Sequence, residues 1–243
     1  MSSIRAIVVD PSVAWWLAIK EVEAPQAGPS EALVQVDAIS LNRGEVKHAM
    51  ETEAGWRPGW DLAGTVIKQA ANGTGPKVGS RVVGMIADAY TRVDAGAWAE
   101  QVAVPTNMLA EIPTSVTFAQ AATLPVAGLT ALRAVEKGGF LLRKQVLITG
   151  STGGVGLFAH QLARQSGAYV VGTARHARNE ALVREAGADD VIVGDDISPA
   201  RAYGPYHFII DSVGGKTLAS ALSPGNRGNL PHAGLVGISR GNN

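Results

Sequence analysis

Short apolar runs rich in Val and Ile, broken by clusters of Gly, Pro, Asn and Asp, fill the first part of the chain. Ile4 to Asp10, Ala32 to Ile39, Leu62 to Ile67, Arg81 to Met85 and Trp98 to Val104 each have the length and β-branched content of a strand. Together they predict a small β-rich domain. After Pro113 the pattern changes. Ser115 to Gly139 is dominated by Ala and Leu and predicts helical segments interrupted near Pro125 and Gly128. From Gln145 onward short aliphatic runs alternate with helical ones. Strands are expected at Gln145 to Thr149, Tyr169 to Thr173, Val191 to Val193 and His207 to Asp211, with a helix at Asn179 to Ala186 and a last apolar run at Ala233 to Ile238. Such alternation predicts an α/β fold with a doubly wound parallel sheet. The expected domains are residues 1–114 and 115–243.

The segment Gln145 to Gly167 adds chemistry to this pattern. A strand buried on both faces (Val146, Leu147, Ile148) runs into Gly150, Gly153, Gly154 and Gly156, with Thr152 and Val155 between them. An amphipathic helix follows. Glycines there permit positive φ, let the backbone approach a phosphate, and let the helix pack closely on the strand. The unpaired N–H groups and positive dipole end of that helix then face the anion. The second strand completes the βαβ unit that a dinucleotide fingerprint requires. It ends in Thr173, Ala174, Arg175, His176, Ala177 and Arg178, with no carboxylate to accept from the adenosine ribose hydroxyls. Two guanidinium groups favour a 2′-phosphate, hence NADPH, with Arg175 the main contact and Arg178 a helper. The plainer reading makes both arginines a solvated helix start.

Composition narrows the chemistry further. The chain has 243 residues, 21 Lys plus Arg against 21 Asp plus Glu, and no Cys. Zero net charge points away from nucleic acid and acidic membranes and toward a small-molecule partner. Without Cys there are no thiolate metal sites, thiol nucleophiles or disulfides, so redox chemistry must come from a bound cofactor. The N-terminus lacks the features of a secretion signal, and no run is apolar enough to span a bilayer. A cytoplasmic protein is expected.

Taken in order, ISLNRGEV (Ile39 to Val46), GWDLAGTV (Gly59 to Val66), KVGSRVVGM (Lys77 to Met85), GAWAEQVAVP (Gly96 to Pro105), AATLPVAGLTALRA (Ala121 to Ala134), the glycine loop and IIDSVGG (Ile209 to Gly215) resemble the medium-chain dehydrogenase/reductase superfamily, in its zinc-independent quinone-oxidoreductase-like branch. The resemblance implies an N-terminal GroES-like catalytic domain, a Rossmann domain, NADPH held between them, and reduction of quinones or α,β-unsaturated carbonyl compounds. Zinc-dependent relatives carry a Gly-His-Glu triplet where this chain has Gly59, Trp60 and Asp61, so no metal site is expected. The five histidines show no ligand spacing.

From the same resemblance, Asn42 matches the Asn of the family's Leu-Asn motif beside the nicotinamide. It is the candidate catalytic residue, stabilising the enolate that forms on hydride transfer; its other reading is a turn cap. Glu45 stands where relatives usually have Asp. Thr130 would line the nicotinamide side, unless it serves helix packing alone. Ser212 and Val213 sit at the carboxyl end of the fourth strand, and Gly237 follows the last; that sheet edge is where open α/β sheets bind ligands. Trp56 and Trp60 either stack on a flat quinone or pack in the interior. A complete member continues past the strand matching Ala233 to Ile238, so the chain reads as a shortened member or one lacking segments. Leu222 to Gly234 reads as an irregular loop, and a homodimer is compatible with the resemblance. Shortening keeps a second function open, a non-catalytic NADPH-binding sensor or accessory protein derived from such a reductase. The glycine loop also fits the short-chain dehydrogenase fingerprint. No Tyr in the chain is followed four residues later by the Lys which that family needs.

Overall fold

A computed structural model describes residues 2–86 and 94–223. Two compact units divide at Val126 and Ala127, and each is described by itself.

In the first unit, β1 (Ser3–Val9) and β2 (Leu17–Glu23) form an antiparallel pair running from Ser3 opposite Glu23 to Val9 opposite Leu17. A five-stranded antiparallel sheet is built from β3 (Glu31–Ile39), β4 (Asp61–Lys68), β5 (Arg81–Met85), β6 (Gln101–Pro105) and β7 (Leu109–Glu111), in the order β6-β3-β4-β5-β7. Ala32, Val34, Leu62, Val66, Val82, Val102 and Val104 meet in its core, as expected of alternate inward positions on half-buried strands. Helix α1 (Arg43–Ala49) leaves the end of β3, and α2 (Phe118–Ala122) packs on β3, β4 and β5. The sequence change at Pro113 precedes α2, which nevertheless lies on this sheet.

Two local expectations are corrected. The strand expected from Trp98 begins only at Gln101, because the preceding residues serve a different partner. Trp98 N–H donates to the Pro58 carbonyl and Ile7 N–H to the Trp98 carbonyl, which ties this stretch to β1 and the loop after α1. β2 was not anticipated at all. Its residues are exposed or half-buried throughout, so they carry no alternation of burial for the sequence to display.

The second unit opens with a π-helical turn at Leu124–Gly128, shared with the end of the first, and α3 (Leu129–Lys137). Four parallel strands follow: β8 (Gln145–Ile148), β9 (Tyr169–Ala174), β10 (Asp190–Val193) and β11 (Phe208–Ile210), in the order β10-β9-β8-β11. Helices α4 (Gly154–Gln165), α5 (Glu180–Glu185) and α6 (Gly215–Ala221) connect and follow them. Successive residues of β8 go to opposite cores. Val146 and Ile148 pack with Ala131, Ala134, Ala159 and Ala163 on one face, and Leu147 joins Val171, Ile192 and Ile209 on the other. That two-sided burial is why the strand reads as an unbroken apolar run. The architecture is a GroES-like β domain and a Rossmann-type parallel sheet. Among the described residues no helix is long and apolar enough to cross a membrane. The strand expected at Ala233 to Ile238, and with it Gly237, lies outside the described residues, as does most of the loop expected at Leu222 to Gly234.

Candidate functional site

The turn between β8 and α4 assigns different tasks to its glycines. Gly150 has φ +66°, and a Cβ there would lie 2.3 Å from Ser212 Oγ. A Cβ on Gly156 would lie 2.4 Å from the Gly150 carbonyl oxygen and 2.6 Å from Ser151 Cα. These two positions bring the helix and β11 close to the end of β8. Gly153 differs: its nearest neighbour to such a Cβ is the Gly150 oxygen at 3.3 Å, and its backbone is ordinary extended (φ −84°, ψ 162°). It caps a helix of twelve residues without a side chain to satisfy the first-turn N–H groups. Thr152, Gly153 and Gly154 are exposed and Val155 half-buried, so the start of the helix is open to solvent.

Beneath the loop lies a frame of short polar side chains that sequence reasoning missed. Ser151 Oγ donates to the Ile148 carbonyl (2.8 Å) and accepts from Thr173 N–H (2.9 Å), joining the ends of β8 and β9. The Thr149 hydroxyl donates to Asp211, whose other oxygen accepts Gly214 N–H at 2.8 Å. Ser212 Oγ donates to the Thr149 carbonyl at 3.2 Å. Thr149, Ser151 and Asp211 are buried. Each polar group has a partner, as burial demands. The only signal available in the sequence was a hydroxyl or carboxylate directly after an apolar strand.

The frame brings Gly150, Gly156, Ser212, Val213 and Thr173 together at the carboxyl edge of the sheet. Thr173 contributes its buried backbone to it. Thr130 stands at the second position of α3, a helix packed on α4. Arg175 follows β9 directly, and Arg178 lies in the 3₁₀ turn Ala177–Asn179; both are exposed. Arg175 Nε meets Asp195 Oδ1 at 2.7 Å, a partner contributed from beyond β10.

In the first unit, Asn42 caps α1 and Glu45 reaches back to it. Glu45 Oε2 accepts Asn42 N–H at 2.5 Å, and Oε1 accepts Trp60 N–H at 2.6 Å, fifteen residues further along the chain. Asn42 Nδ2 donates to Asp61 Oδ2 (2.8 Å), and Asp61 Oδ1 accepts Val126 N–H (2.8 Å). Both carboxylates are 0% exposed. Burial pushes the Glu45 carboxyl up to about 7, against the pull of the Asn42 and Trp60 N–H groups, and burial likewise raises Asp61. The capping role of Asn42 is therefore built, and one of its two amide protons is committed to Asp61.

Trp56 is buried, edge-to-face with His48 (centroids 4.8 Å apart, 84°), which places its ring in packing and not on a ligand. The Trp60 ring packs over Gly44 and against the sheet core. His160, on α4, is fully buried with neither ring nitrogen hydrogen-bonded, and burial lowers it to about 4. Among the described residues no three His, Cys, Asp or Glu side chains converge in a group able to hold a metal ion.

Two family profiles match the chain: "Alcohol dehydrogenase GroES-like domain" over residues 28–114 and "Zinc-binding dehydrogenase" over residues 154–232. A chloroplastic quinone-oxidoreductase homolog of Spinacia oleracea is 33% identical over 185 residues, covering 71% of this chain and 55% of that protein. The quinone oxidoreductase structure from Coxiella burnetii superposes with a TM-score of 0.79 at 28% identity, covering 88% of this chain and 70% of the other. The chain belongs to the medium-chain dehydrogenase/reductase superfamily, in its quinone-oxidoreductase-like branch. A 2-methylene-furan-3-one reductase of Solanum lycopersicum is also similar, 33% identical over 179 residues, covering 69% of this chain and 46% of that one. The chain thus spans about half the length of the curated relatives it matches. Within this family member the N–H of Trp60, the residue expected to replace a zinc-ligating His, anchors Glu45.

Proposed function

We propose that this chain is an NADPH-dependent oxidoreductase that reduces a quinone or an α,β-unsaturated carbonyl compound without a metal. The observation that carries the coenzyme reading is the bare N-terminus of α4. Gly153 leaves space where any other residue would stand, over N–H groups that no side chain caps. Ser151 and the Thr149–Asp211 pair hold that loop in place from below, so its donors are oriented before an anion arrives. Arg175 is the candidate contact for the 2′-phosphate, with Arg178 beside it, because β9 ends without a carboxylate. When bound, the nicotinamide supplies a hydride to an electron-poor carbon.

Asn42 is proposed to meet the negative charge that develops on the substrate oxygen, using the amide proton not given to Asp61. Zinc independence rests on the donor set, since the chain has no Cys and Trp60 replaces a ligand. The relatives named quinone oxidoreductase and furanone reductase support the substrate class. A cytoplasmic setting is part of the same proposal.

The test follows NADPH oxidation with a panel of quinones and enones. Turnover of at least one acceptor supports the reductase; tight NADPH binding with every acceptor left unreduced turns the reading toward a non-catalytic coenzyme-binding protein. Arg175→Ala is expected to weaken NADPH roughly ten- to a hundredfold, the worth of one or two charge-assisted hydrogen bonds, and to leave NADH unchanged. Calorimetric titration of both coenzymes measures this, and an unaltered preference removes Arg175 from the phosphate site.

A further inference from the structure

The sequence of β9 offers a cation and no anion at the adenosine end of the candidate site, yet the fold supplies an anion from elsewhere. β10 pairs parallel with β9, Val193 opposite Ala174, and Gly194 N–H donates to the Ala174 carbonyl at 2.9 Å. Gly194 then turns with φ +121°, a conformation that favours glycine. The residue after it, Asp195, comes to lie beside the residue after Ala174, Arg175. Their contact is 2.7 Å from Nε to Oδ1, with both side chains open to water (72% and 75% exposed). The neighbouring Asp196 is turned away, its oxygens taken by the N–H (2.8 Å) and hydroxyl (2.7 Å) of Ser198. Of the two adjacent carboxylates, only Asp195 faces the guanidinium.

We propose that Asp195 is a specificity-determining residue that damps the preference for a 2′-phosphorylated coenzyme, by competing with the phosphate monoester for Arg175. The inference rests on the coenzyme reading above. An ion pair this exposed is weak, so a phosphate can displace it. While it stands, however, the phosphate must break it and must also approach a carboxylate of its own sign. A coenzyme without the 2′-phosphate meets neither obstacle, because nothing in it competes for the guanidinium. The Arg175–Asp195 pair therefore moves the protein toward accepting both coenzymes, whereas Arg175 alone would select sharply for one.

The experiment is equilibrium titration of the full chain and of Asp195→Asn with NADPH, NADH and two adenosine-end fragments, adenosine 2′,5′-bisphosphate and 5′-AMP, at low and high salt. Asp195→Asn is expected to tighten NADPH and the bisphosphate about three- to tenfold, leaving NADH and 5′-AMP unchanged. The gain should shrink as ionic strength rises, because it comes from exposed charges; a change in loop structure alone would affect all four ligands and ignore salt. Equal shifts for phosphorylated and unphosphorylated ligands overturn the proposal, as does a loss of NADH affinity, which would make Asp195 a ribose acceptor. Failure of the underlying reading looks different. If Arg175→Ala leaves the NADPH-to-NADH ratio of the parent protein unaltered, the phosphate does not sit at Arg175, and both readings fall together.

Discussion

Gly153→Val should give a protein that folds and holds a nicotinamide coenzyme about a hundredfold more weakly, whereas Gly156→Val should lose the stability of the Rossmann unit itself. The two glycines sit three positions apart in one loop, and the structure separates their duties. At Gly153 the backbone is extended and a Cβ meets only the Gly150 oxygen, at 3.3 Å. A valine there needs a shift of a few tenths of an ångström from that oxygen and is a poorer helix cap than glycine, a cost of about 1 kcal/mol that leaves the unit folded. Its methyl groups fill the space over the first-turn donors of α4. Losing two charge-assisted hydrogen bonds to the coenzyme's phosphates amounts to roughly 3 kcal/mol, about a hundredfold in affinity. At Gly156 the obstruction is backbone, 2.4 Å and 2.6 Å away. No rotamer relieves it, so the helix must move off the sheet at about 3 kcal/mol or more. Denaturant midpoints beside coenzyme titrations test the pair. A Gly153→Val protein with normal coenzyme affinity would remove the loop from the site.

The second large effect is acid destabilisation of the same unit through His160. Its ordinary value of 6.5 falls to about 4 in the fold because the ring is buried without a hydrogen-bond partner. Between those values the unfolded chain takes up a proton that the folded one refuses. Stability is therefore lost as pH falls from about 6.5 to 4, by about 3 kcal/mol in full. His160→Met keeps an apolar side chain of adaptable shape in contact with Gly172. It should abolish that acid limb and raise stability at pH 5 above that of the parent. Glu45 acts in the opposite direction in the first unit. Its carboxyl is raised from 4.5 to about 7, so its contribution is complete below 4.5 and is lost as pH rises through 7. Denaturation followed at several pH values, with a probe in each unit, reads both trends; an acid limb that persists in His160→Met would assign it to other groups.

Much of the Rossmann unit was legible because its central strands are buried on both faces. Val146 to Ile148 and Val170 to Val171 leave no polar position to confuse the reading. The glycine loop was legible for the same local reason, since strand, turn and helix are contiguous. What escaped depended on neighbours distant in sequence. Asp195 reaches Arg175 only through the parallel pairing of β9 and β10, and Asp211 reaches Thr149 across sixty-two positions. β2 escaped because exposure on both sides erases its alternation. At Asn42 the sequence left capping and catalysis open together; the structure shows the capping box with Glu45 and the bond to Asp61, and the catalytic role is a proposal built on them.

Asp61 opens β4 and receives the amide of Val126, sixty-five residues later. One interior oxygen thereby fastens the middle of the π-helical turn to the first residue of β4. The Val126 amide should exchange with deuterium as slowly as a mid-strand amide, and Asp61→Ala should release it to solvent without equal loss of protection along β4. Isotope uptake at that one position is thus a gauge of whether the turn is clamped.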